Sequence, residues 1–452
     1  MPAPQSVSSP NQSLLPITAE INAAGHLVIG GCDLVALAKD FGTPLYILDE
    51  ATIRQGCQQY RQAFAAFYPG PAQVLYATKA WNCLALCALM LQEGLGLDVA
   101  SGGELYTALQ AGATGRDLYV HGNAKTPAEL AMCLDAGATV VVDSEYELHL
   151  LAEQAAQRGV KARILLRVNP GIDVHTHAYI RTGQTDSKFG IGLTQIGAVL
   201  EKVTRLPSLD WVGFHAHIGS QIFDLEGHRD LAAVMAKLWQ KALSLGLHPQ
   251  ELNVGGGLGI RYREEDDPPS IAAWVEAVST SVQNHFQGLP LPKLLCEPGR
   301  SLVATAGVTL YTLGGSKQVP PSPELPQGRT YVTIDGGMSD NPRPITYQAR
   351  YTAYVANQMG DPLDTVVTVA GKHCESGDIL IKDILLPAIT PGDLLVVTGT
   401  GAYTYSMASN YNRYPRAAAV VVGNAQARLI VQRESYADLV RLDVLPEHWQ
   451  GA

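Results

Sequence analysis

The chain has 452 residues, of which 46% are hydrophobic and 16% are charged. This composition supports a large buried core and excludes a disordered or fibrous protein, and at about 150 residues per domain the length suggests two to three domains. The net charge of −10 and the absence of any Lys/Arg-rich run argue against nucleic acids and anionic membranes as partners. No apolar run approaches the roughly 18 uncharged residues of a membrane span.

The amino-terminal 24 residues carry no basic side chain, since the first Lys is Lys39 and the first Arg is Arg54. Secretory signals begin with basic residues and transit peptides contain scattered Arg, so neither pattern is present. We therefore expect residues 1–24 to be a disordered tail. The seven cysteines, from Cys32 to Cys374, include no C-x-x-C pair, which is typical of a reduced, cytoplasmic protein.

The middle of the chain alternates short β-rich runs with segments of helical spacing. Most of these runs are nearly continuous in apolar residues, as strands buried on both faces should be. The eight runs cover residues 74–80, 95–101, 117–122, 139–144, 163–169, 211–219, 251–257 and 293–299. Eight β-then-α units over about 250 residues predict an α/β fold of the (β/α)8 TIM-barrel type. Periodicity alone leaves a doubly wound open sheet as the alternative.

From about Gly307 the pattern changes to strands separated by Gly/Pro turns. It predicts a C-terminal antiparallel β-sandwich or barrel, with an exposed loop over residues 317–328. A strand from the segment before the first barrel helix could join this sheet. The expected organisation is a disordered tail over 1–24, an N-terminal segment joining the β-domain over 25–50, the barrel over 51–306 and the β-domain over 307–452.

Polar residues stand at the carboxyl ends of the predicted barrel strands, where barrel enzymes carry their catalytic groups. They are Lys79, Asp98 with Glu104 beyond it, His121, Asp143, Arg167, His217 with Ser220, the glycines 255–257, and Glu297 with Arg300. Each has an ordinary structural explanation when taken alone, such as a solvated Lys or a tight Gly turn. Their convergence on one face favours a single functional site.

These residue types suit pyridoxal phosphate (PLP). Consecutive glycines let backbone N–H groups approach a phosphate without interference from a Cβ atom. Lys79 could form a Schiff base with an aldehyde, and His217 could stack on a ring. Glu297 could hold a pyridine nitrogen protonated.

A metal-dependent hydrolase is the competing interpretation of the histidines. His215 and His217 alternate on one strand, as metal ligands do in barrel hydrolases, and His175 and His177 repeat that spacing. No obvious carboxylate-plus-His set completes such a site, and a metal mechanism leaves Lys79 without a role. We therefore expect no metal ion, and we place His175 and His177 in a loop at the rim of the site.

Five motifs resemble those of the barrel-type (fold type III) PLP-dependent decarboxylases, which include ornithine, arginine and diaminopimelate decarboxylases. They are YATKA around Lys79, DVASGGEL from Asp98, HAHIGSQ from His215, NVGGGLG from Asn253 and EPGRSLV from Glu297. Residues 169–192, CESGD from Cys374 and GAYTYSMASNYN from Gly401 are similar to the diaminopimelate decarboxylases in particular. The similarity runs from about Gly25 to about Val421. Trp81 is a small departure, because many relatives have a smaller residue there.

The resemblance implies decarboxylation of meso-2,6-diaminopimelate to L-lysine and CO2, the last step of lysine biosynthesis. Another basic amino acid, such as ornithine or arginine, is the alternative substrate. A homodimer is also implied, in which each active site combines one barrel with the other subunit's β-domain. The implied cofactor-binding residues are Lys79, Asp98, Arg167, His217, Ser220, Gly256, Gly257, Glu297, Gly299, Arg300 and Tyr403. The implied substrate-binding residues are Arg300, Arg343, Tyr347, Glu375 and Tyr403, and the implied catalytic residues are Lys79, His217, Glu297 and Cys374.

The chemistry of the implied reaction suits these residue types. Electrons left on Cα when CO2 departs need a sink, and a pyridine ring kept protonated by Glu297 provides one. The thiol of Cys374, arriving from the partner chain, can return a proton to Cα. The distal carboxylate of diaminopimelate suits Arg300 and Arg343, because Arg binds carboxylates bidentately, and its distal ammonium suits Glu375. Ornithine would leave both guanidinium groups without a partner, which would cost binding strongly.

Overall fold

The computed structural model describes residues 9–172 and 187–449. The chain divides into two compact units, the first comprising Met1–Leu14 with Thr52–Thr305 and the second Leu15–Ala51 with Ala306–Ala452. His175 and His177, for which the sequence predicts a rim loop, lie outside the described residues. Among the helices of the described ranges, none has the length and apolar character needed to cross a bilayer.

The second unit begins with short strands and one helix. They are β1 (Glu20–Ile21), β2 (Leu27–Ile29), β3 (Cys32–Asp33), α1 (Leu34–Phe41) and β4 (Leu45–Asp49). The first three strands form a small antiparallel sheet. Helix α1 begins at its N-cap Asp33, because the Asp33 carboxylate accepts a hydrogen bond from the Val35 N–H.

The first unit contains strands and helices that alternate along the chain. They are α2 (Glu50–Phe67), β5 (Ala72–Ala77), α3 (Leu84–Gln92), β6 (Gly96–Val99), α4 (Gly102–Gln110), β7 (Leu118–Val120), α5 (Pro127–Ala136), β8 (Thr139–Val142), α6 (Glu145–Arg158), β9 (Ala162–Asn169), β10 (Ile191–Gly192), α7 (Ile196–Val203), β11 (Leu209–His215), α8 (Glu226–Ser244), β12 (Glu251–Asn253), α9 (Ile271–His285), β13 (Lys293–Cys296) and α10 (Arg300–Val303). Several helices begin at a Ser or Thr side chain that accepts from the backbone N–H three residues on, as Ser144 does for α6.

Eight of these strands close into a ring. Each pairs in parallel with its neighbours in the order β5, β6, β7, β8, β9, β11, β12, β13, and β13 returns to β5. The predicted (β/α)8 barrel is thereby confirmed, because an open sheet would leave two unpaired edge strands. Buried side chains from six strands form a cluster: Leu75, Tyr119, Val141, Leu165, Val212 and Leu295. The carboxyl ends of all eight strands consequently meet at one face.

The expectation of a disordered tail is wrong for residues 9–24. Ser9 and Asn11 are buried, and the Asn11 amide donates to the carbonyls of Gly259 at 3.0 Å and Pro269 at 2.9 Å. A polar side chain that satisfies two backbone carbonyls fixes this segment to the barrel. Hydrophobic patterning does not reveal such an attachment, because the segment itself is polar.

The second unit resumes after the barrel. Its elements are β14 (Gly307–Val319), β15 (Arg329–Ile334), α11 (Arg343–Tyr347), β16 (Ala353–Val355), β17 (Thr365–Ala370), β18 (Ile379–Leu386), β19 (Leu394–Val397), β20 (Ala418–Gly423), β21 (Gln426–Val431) and α12 (Tyr436–Val440). With β4 these strands form one nine-stranded sheet, in the order β18, β17, β15, β14, β4, β20, β21, while β19 pairs with β14 and β16.

The separate β-sheet domain is confirmed, but its sheet is not purely antiparallel. β4 lies between β14 and β20 and runs parallel to β20, and β15 runs parallel to β17. The loop predicted over residues 317–328 also begins later than expected. Residues 317–319 continue β14 and pair with β15, and the strand ends at Val319 because Pro320 has no N–H to donate to the ladder.

Candidate active site

A buried carboxylate lies where four barrel strands end. Glu297 directly follows β13 and is 7% exposed. Its Oε1 lies 2.7 Å from His121 Nε2 and 2.6 Å from Asn253 Nδ2, and its Oε2 lies 3.0 Å from His215 Nε2. An ionised carboxylate can only accept, so each histidine donates its Nε2 proton. Donors at the ends of β7, β11 and β12 therefore fix both oxygens of Glu297.

The electrostatics of this cluster keep Glu297 ionised. Burial alone would raise the pKa of Glu297, but the electrostatic influence of His121 and His215 and their hydrogen bonds to the carboxylate hold it well below its usual range. Burial lowers the pKa of His215 to about 4, so its ring is neutral near pH 7. Asp98 behaves in the opposite way, because burial raises its pKa to about 6 despite His121, whose Nε2 lies 3.6 Å from Asp98 Oδ1. The two carboxyl groups next to His121 therefore have pKa values that are shifted in opposite directions, with Glu297 lowered and Asp98 raised.

Lys79 presents an exposed primary amine at the end of β5. It lies in the short 3-10 turn Thr78–Ala80, which directly follows that strand. Thr78 Oγ1 is 2.9 Å from the Asp98 carbonyl oxygen and 2.8 Å from Glu104 Oε2, so the turn is tied to the next strand and helix. The Lys79 charge favours the ionised form of Asp98. It also adds to burial in lowering the pKa of His217 well below its usual value.

The glycines at 255–257 allow three strand ends to approach closely. A Cβ atom on Gly256 would lie 2.2 Å from the Glu297 carbonyl oxygen. One on Gly257, whose φ is +116°, would lie 2.6 Å from the Gly219 carbonyl oxygen. Only glycine fits at these positions. The Gly256 N–H donates to His217 Nδ1 at 3.3 Å, which orients the half-buried His217 ring.

Arg300 and Ser220 lie beside this glycine run. Arg300 begins α10 and is 6% exposed. Its Nη1 donates to the Tyr262 hydroxyl at 2.6 Å, and its Nη2 donates to Ser220 Oγ at 3.1 Å. A backbone hydrogen bond joins the segment after Ser220 to the glycine run, because the Ile222 N–H donates to the Gly257 carbonyl at 2.9 Å. A guanidinium, a hydroxyl and bare backbone in one place are suited to an anion.

Arg167 and Gly299 complete the barrel residues singled out by the sequence. The buried Arg167 Nη1 lies 3.6 Å from Asp143 Oδ1, and its guanidinium is 4.4 Å from the ring centroid of Phe189. Burial lowers the pKa of Arg167, and the nearby carboxylates oppose that effect. Gly299 precedes α10, where a Cβ atom would lie 3.0 Å from the Ala77 carbonyl oxygen. All of the predicted barrel residues therefore lie near the carboxyl end of a barrel strand or in the segment that follows it.

Apart from Arg300, the predicted substrate-binding residues lie in the second unit. Arg343 begins α11, is 8% exposed, and donates from Nε to the Tyr351 hydroxyl at 2.9 Å. Its guanidinium carbon lies 5.3 Å from the ring centroid of Tyr347 and 5.7 Å from that of Tyr403. Aromatic faces on a guanidinium limit its orientations and strengthen its electrostatic role. Arg343, Tyr347 and Tyr403 thus form one cluster.

Cys374 and Glu375 lie on an exposed turn that follows β17. All seven cysteines fall in the described residues and are free thiols, and Cys374 alone among them is exposed. The Cys374 N–H donates to Asn412 Oδ1 at 2.9 Å. A thiol on the surface of this turn is available to a substrate or to a second subunit.

Several residues of the site had no predicted role. His121 stands at a strand end, which was a usable signal, and Asn253 directly precedes the glycine run. Tyr262, the partner of Arg300, lies in a loop and no local pattern marks it. No carboxylate-plus-His set was obvious in the sequence, but the structure brings one together, because one ligand atom from each of His121, His215 and Glu297 lies within 4.8 Å of the others. That set comes from three different strands, so sequence spacing does not disclose it.

Comparison with known proteins places this geometry in a family. The model of the pyridoxal binding domain of pyridoxal-dependent decarboxylases matches residues 50–304. Diaminopimelate decarboxylase of Synechocystis sp. is 54% identical over 97% of this chain and 94% of its own length. The Bacillus subtilis enzyme of that name is 47% identical, over 94% and 97% respectively.

A solved structure supports the same assignment over the full fold. The crystal structure of diaminopimelate decarboxylase from M. jannaschii in complex with L-lysine matches with a TM-score of 0.89 and 33% identity. The match covers 98% of this chain and 100% of that one. The chain therefore belongs to the pyridoxal-dependent decarboxylases and, within them, to the diaminopimelate decarboxylases.

Proposed function

We propose that the protein removes one carboxylate from meso-2,6-diaminopimelate, giving L-lysine and CO2, with PLP bound at the carboxyl ends of the barrel strands. The observation that carries this proposal is the state of Glu297. It is a buried carboxylate whose pKa is held well below its usual range by two histidines. A fixed negative charge of this kind is what a protonated pyridine nitrogen needs as a partner.

The residues present fit the cofactor. Glycines 255–257 have no room for a Cβ atom, because each would clash with a neighbouring backbone carbonyl, and Ser220 and Arg300 lie beside this bare backbone. Bare backbone next to a hydroxyl and a guanidinium is suited to a phosphate. The half-buried ring of His217, oriented by the Gly256 N–H, offers a face for stacking. Lys79 offers the amine that holds an aldehyde covalently. When bound, the cofactor supplies an electron sink for the bond that is broken.

The remaining barrel residues determine the charge around the proposed cofactor site and the orientation of the Glu297 carboxylate. Glu297 would hold the ring nitrogen of a bound cofactor protonated, and His121 and Asn253 keep the Glu297 carboxylate in place. Asp98 and Arg167 add one acidic and one basic group close by, and each influences the pKa of other groups in the cluster. This arrangement excludes water from Glu297, so that its charge acts at low dielectric.

Arg343, Tyr347, Tyr403 and Glu375 would recognise the distal amino-acid group of the substrate, together with Arg300. Arg343 is suited to a carboxylate because Tyr351 and two aromatic rings hold its guanidinium. The exposed carboxylate of Glu375 is suited to the distal ammonium. Tyr403 would in addition help to hold the phosphate.

Cys374 would deliver the proton that replaces CO2 on Cα. We further propose that Cys374 acts on the cofactor site of a second copy of the chain, in a homodimer with two equivalent sites. The support is the family resemblance and the position of Lys79 and Cys374 in different compact units. The seven free thiols favour a reducing compartment, and we place the enzyme in the cytoplasm.

Subunit mixing tests the shared site. Lys79→Ala, which should be inactive, and Cys374→Ala, which should keep at most a small residual activity, are combined in equal amounts under conditions that exchange subunits. About half of the dimers become mixed, each regains one intact site of two, and activity recovers to about a quarter of the wild-type value. With exchange verified, a mixture that stays inactive would show that Lys79 and Cys374 do not meet across two chains. Residual activity of Cys374→Ala alone is subtracted first.

The function itself is tested by product formation from separate substrates. The purified protein with PLP is incubated with meso-diaminopimelate, ornithine or arginine, and CO2 and the amine product are measured, with and without a chelator. We expect lysine and CO2 from diaminopimelate, little CO2 from the other two, and no effect of the chelator. Preferred turnover of ornithine would favour the alternative substrate, and loss of activity with the chelator would favour a metal at His121, His215 and Glu297.

A further inference from the structure

A buried histidine–aspartate pair lies directly beside the Cys374 turn, and nothing above gives it a role. His373 Nδ1 is 2.7 Å from Asp378 Oδ2, and the two side chains are 0% and 3% exposed. The first residue precedes Cys374 and the second closes the same turn. An Asp side chain is almost never buried this completely unless it is paired, and His373 supplies the partner.

The Asp378 carboxylate joins two segments of the second unit. Oδ2 also accepts the backbone N–H of His373 at 3.0 Å, and Oδ1 accepts the backbone N–H of Met338 at 2.7 Å. Met338 belongs to the segment that leads into Arg343, whose own N–H donates to Asn341 Oδ1 at 3.3 Å. One side chain therefore fixes both the start of the Cys374 turn and the approach to Arg343.

The backbone around Asp378 is shaped for this carboxylate. A Cβ atom on Gly371 would lie 2.0 Å from Asp378 Oδ2, and one on Gly337, whose φ is +149°, would lie 2.5 Å from it. Both positions thus require glycine for the carboxylate to lie between the two backbones. The space is closed on both sides, so an alternative rotamer of Asp378 has little room.

The far side of the turn is held by aromatic rings and an amide. The His373 ring stacks on Tyr411, at 6.0 Å and 12°, and meets Tyr414 edge-on at 4.9 Å. Asn412, next to Tyr411, accepts the Cys374 N–H at 2.9 Å. The backbone of Cys374 is thereby constrained by the contacts of His373 on one side and by Asn412 on the other.

We propose that His373 and Asp378 are positioning residues that hold the exposed Cys374 thiol, and with it Glu375, in the orientation used for proton delivery and substrate binding. They act through Cys374 and touch no substrate. The role of Cys374 rests on the proposed function, whereas the restraint of the turn is a property of the chain alone. The two parts therefore need separate measurements.

The first measurement follows backbone hydrogen exchange by mass spectrometry in peptides covering 336–343 and 371–378. Asp378→Asn keeps the side-chain volume but turns an amide N–H toward backbone donors, so exchange should accelerate about tenfold or more in both peptides. The matched control is Asp33→Asn, which breaks another His–Asp contact of the same unit, between His26 Nδ1 and Asp33 Oδ2 at 2.9 Å. The control should leave both peptides unchanged. Unaltered exchange in Asp378→Asn would overturn the restraint, whether or not the protein is a decarboxylase.

The second measurement is a double-mutant cycle on the holoenzyme. Asp378→Asn should lower kcat on the order of 10- to 100-fold, raise the KM for diaminopimelate, and leave PLP affinity unchanged. In a Cys374→Ala background, measured on the residual activity, the same substitution should change kcat less than about threefold, because the positioned thiol is already absent. An equal fall in both backgrounds would show that Asp378 only supports folding and would overturn the proposal.

His373→Asn supplies a second variant in case Asp378→Asn does not fold. It retains a donor near the position of Nδ1 but loses the ring stacked on Tyr411. We expect an exchange rate and a kcat between those of wild type and Asp378→Asn. Wild-type values for both would contradict the role of His373.

Discussion

His121 Nε2 lies 2.7 Å from Oε1 of Glu297, although the two residues are 176 positions apart. Closure of the strand ring brings the end of β7 near the end of β13, and both side chains are buried there. Because an ionised carboxylate accepts and never donates, the proton lies on the histidine. The charge of Glu297 thus depends on a donor from another strand.

Removing that donor should change the pH dependence of turnover. His121→Leu deletes the hydrogen bond that helps to hold the pKa of Glu297 low, so this pKa rises and the ionised form is lost at a higher pH. The acidic limb of the kcat–pH profile should move upward by about one unit or more. His121→Gln retains an N–H donor and should move it less. His149→Leu, on an exposed face of α6, serves as the control and should give the wild-type profile. If the acidic limb of the His121→Leu profile does not move, the pKa of Glu297 does not depend on His121.

Glu297→Gln tests the charge of the carboxylate directly. The amide keeps the shape but carries no negative charge, so the ring nitrogen loses its partner and the electron sink weakens. PLP should still bind, as measured by absorbance titration, while kcat falls by orders of magnitude. Turnover near the wild-type rate would mean that the ring nitrogen is held elsewhere.

Two buried histidines should make the barrel sensitive to acid. Burial lowers the pKa of His215 and of His228 to about 4, whereas both titrate near 6.5 in the unfolded chain. The unfolded state therefore binds more protons in this window, and stability that is full above about pH 6.5 is lost as the pH falls toward 4. The loss approaches about 3 kcal/mol per histidine.

His228→Gln isolates one of these contributions. The free energy of unfolding, from urea titrations between pH 7 and 5, should fall less steeply with acid in the variant than in wild type. Loss of packing lowers stability at every pH, so the slope is the informative quantity. The exposed His149→Gln serves as the control. Equal slopes in wild type and His228→Gln would show that His228 is not protonated on unfolding.

Arg343→Ala tests recognition of the distal carboxylate. A bidentate, charge-assisted contact is worth about 1.5–3 kcal/mol, so KM for diaminopimelate should rise roughly 10- to 100-fold, with little change in PLP affinity. Discrimination against ornithine should shrink as well. An unchanged KM combined with weakened PLP binding would assign Arg343 to the cofactor instead.

The barrel and its strand-end residues were predictable because the signals are local. Apolar runs mark the strands, and residues such as Lys79 and Glu297 lie at the ends of their own runs. Contacts between the ends of different barrel strands have no local sequence signal. The hydrogen bonds from His121 and Asn253 to Glu297 are contacts of this type. The attachment of Asn11 to the Gly259 carbonyl, 248 positions away, was missed for the same reason.

The parallel strand pairs of the second unit's β-sheet also could not be predicted from local sequence patterns. Alternating strands with tight turns favour antiparallel neighbours. The chain enters this sheet twice, however, and β4 lies parallel to β20 after the whole barrel has intervened. Strand order in such a sheet depends on where the first segment inserts, which the pattern of either segment alone does not specify.

The central claim is that Lys79 holds the pyridoxal cofactor at the carboxyl ends of the barrel strands. The most direct measurement is borohydride reduction of the purified protein in the presence of PLP, followed by peptide mapping by mass spectrometry. Reduction makes a covalent lysine–pyridoxal link permanent, and we expect the modification on the peptide containing Lys79, with none there in Lys79→Ala. A modification found on another lysine, or no modification at saturating PLP, would contradict the account.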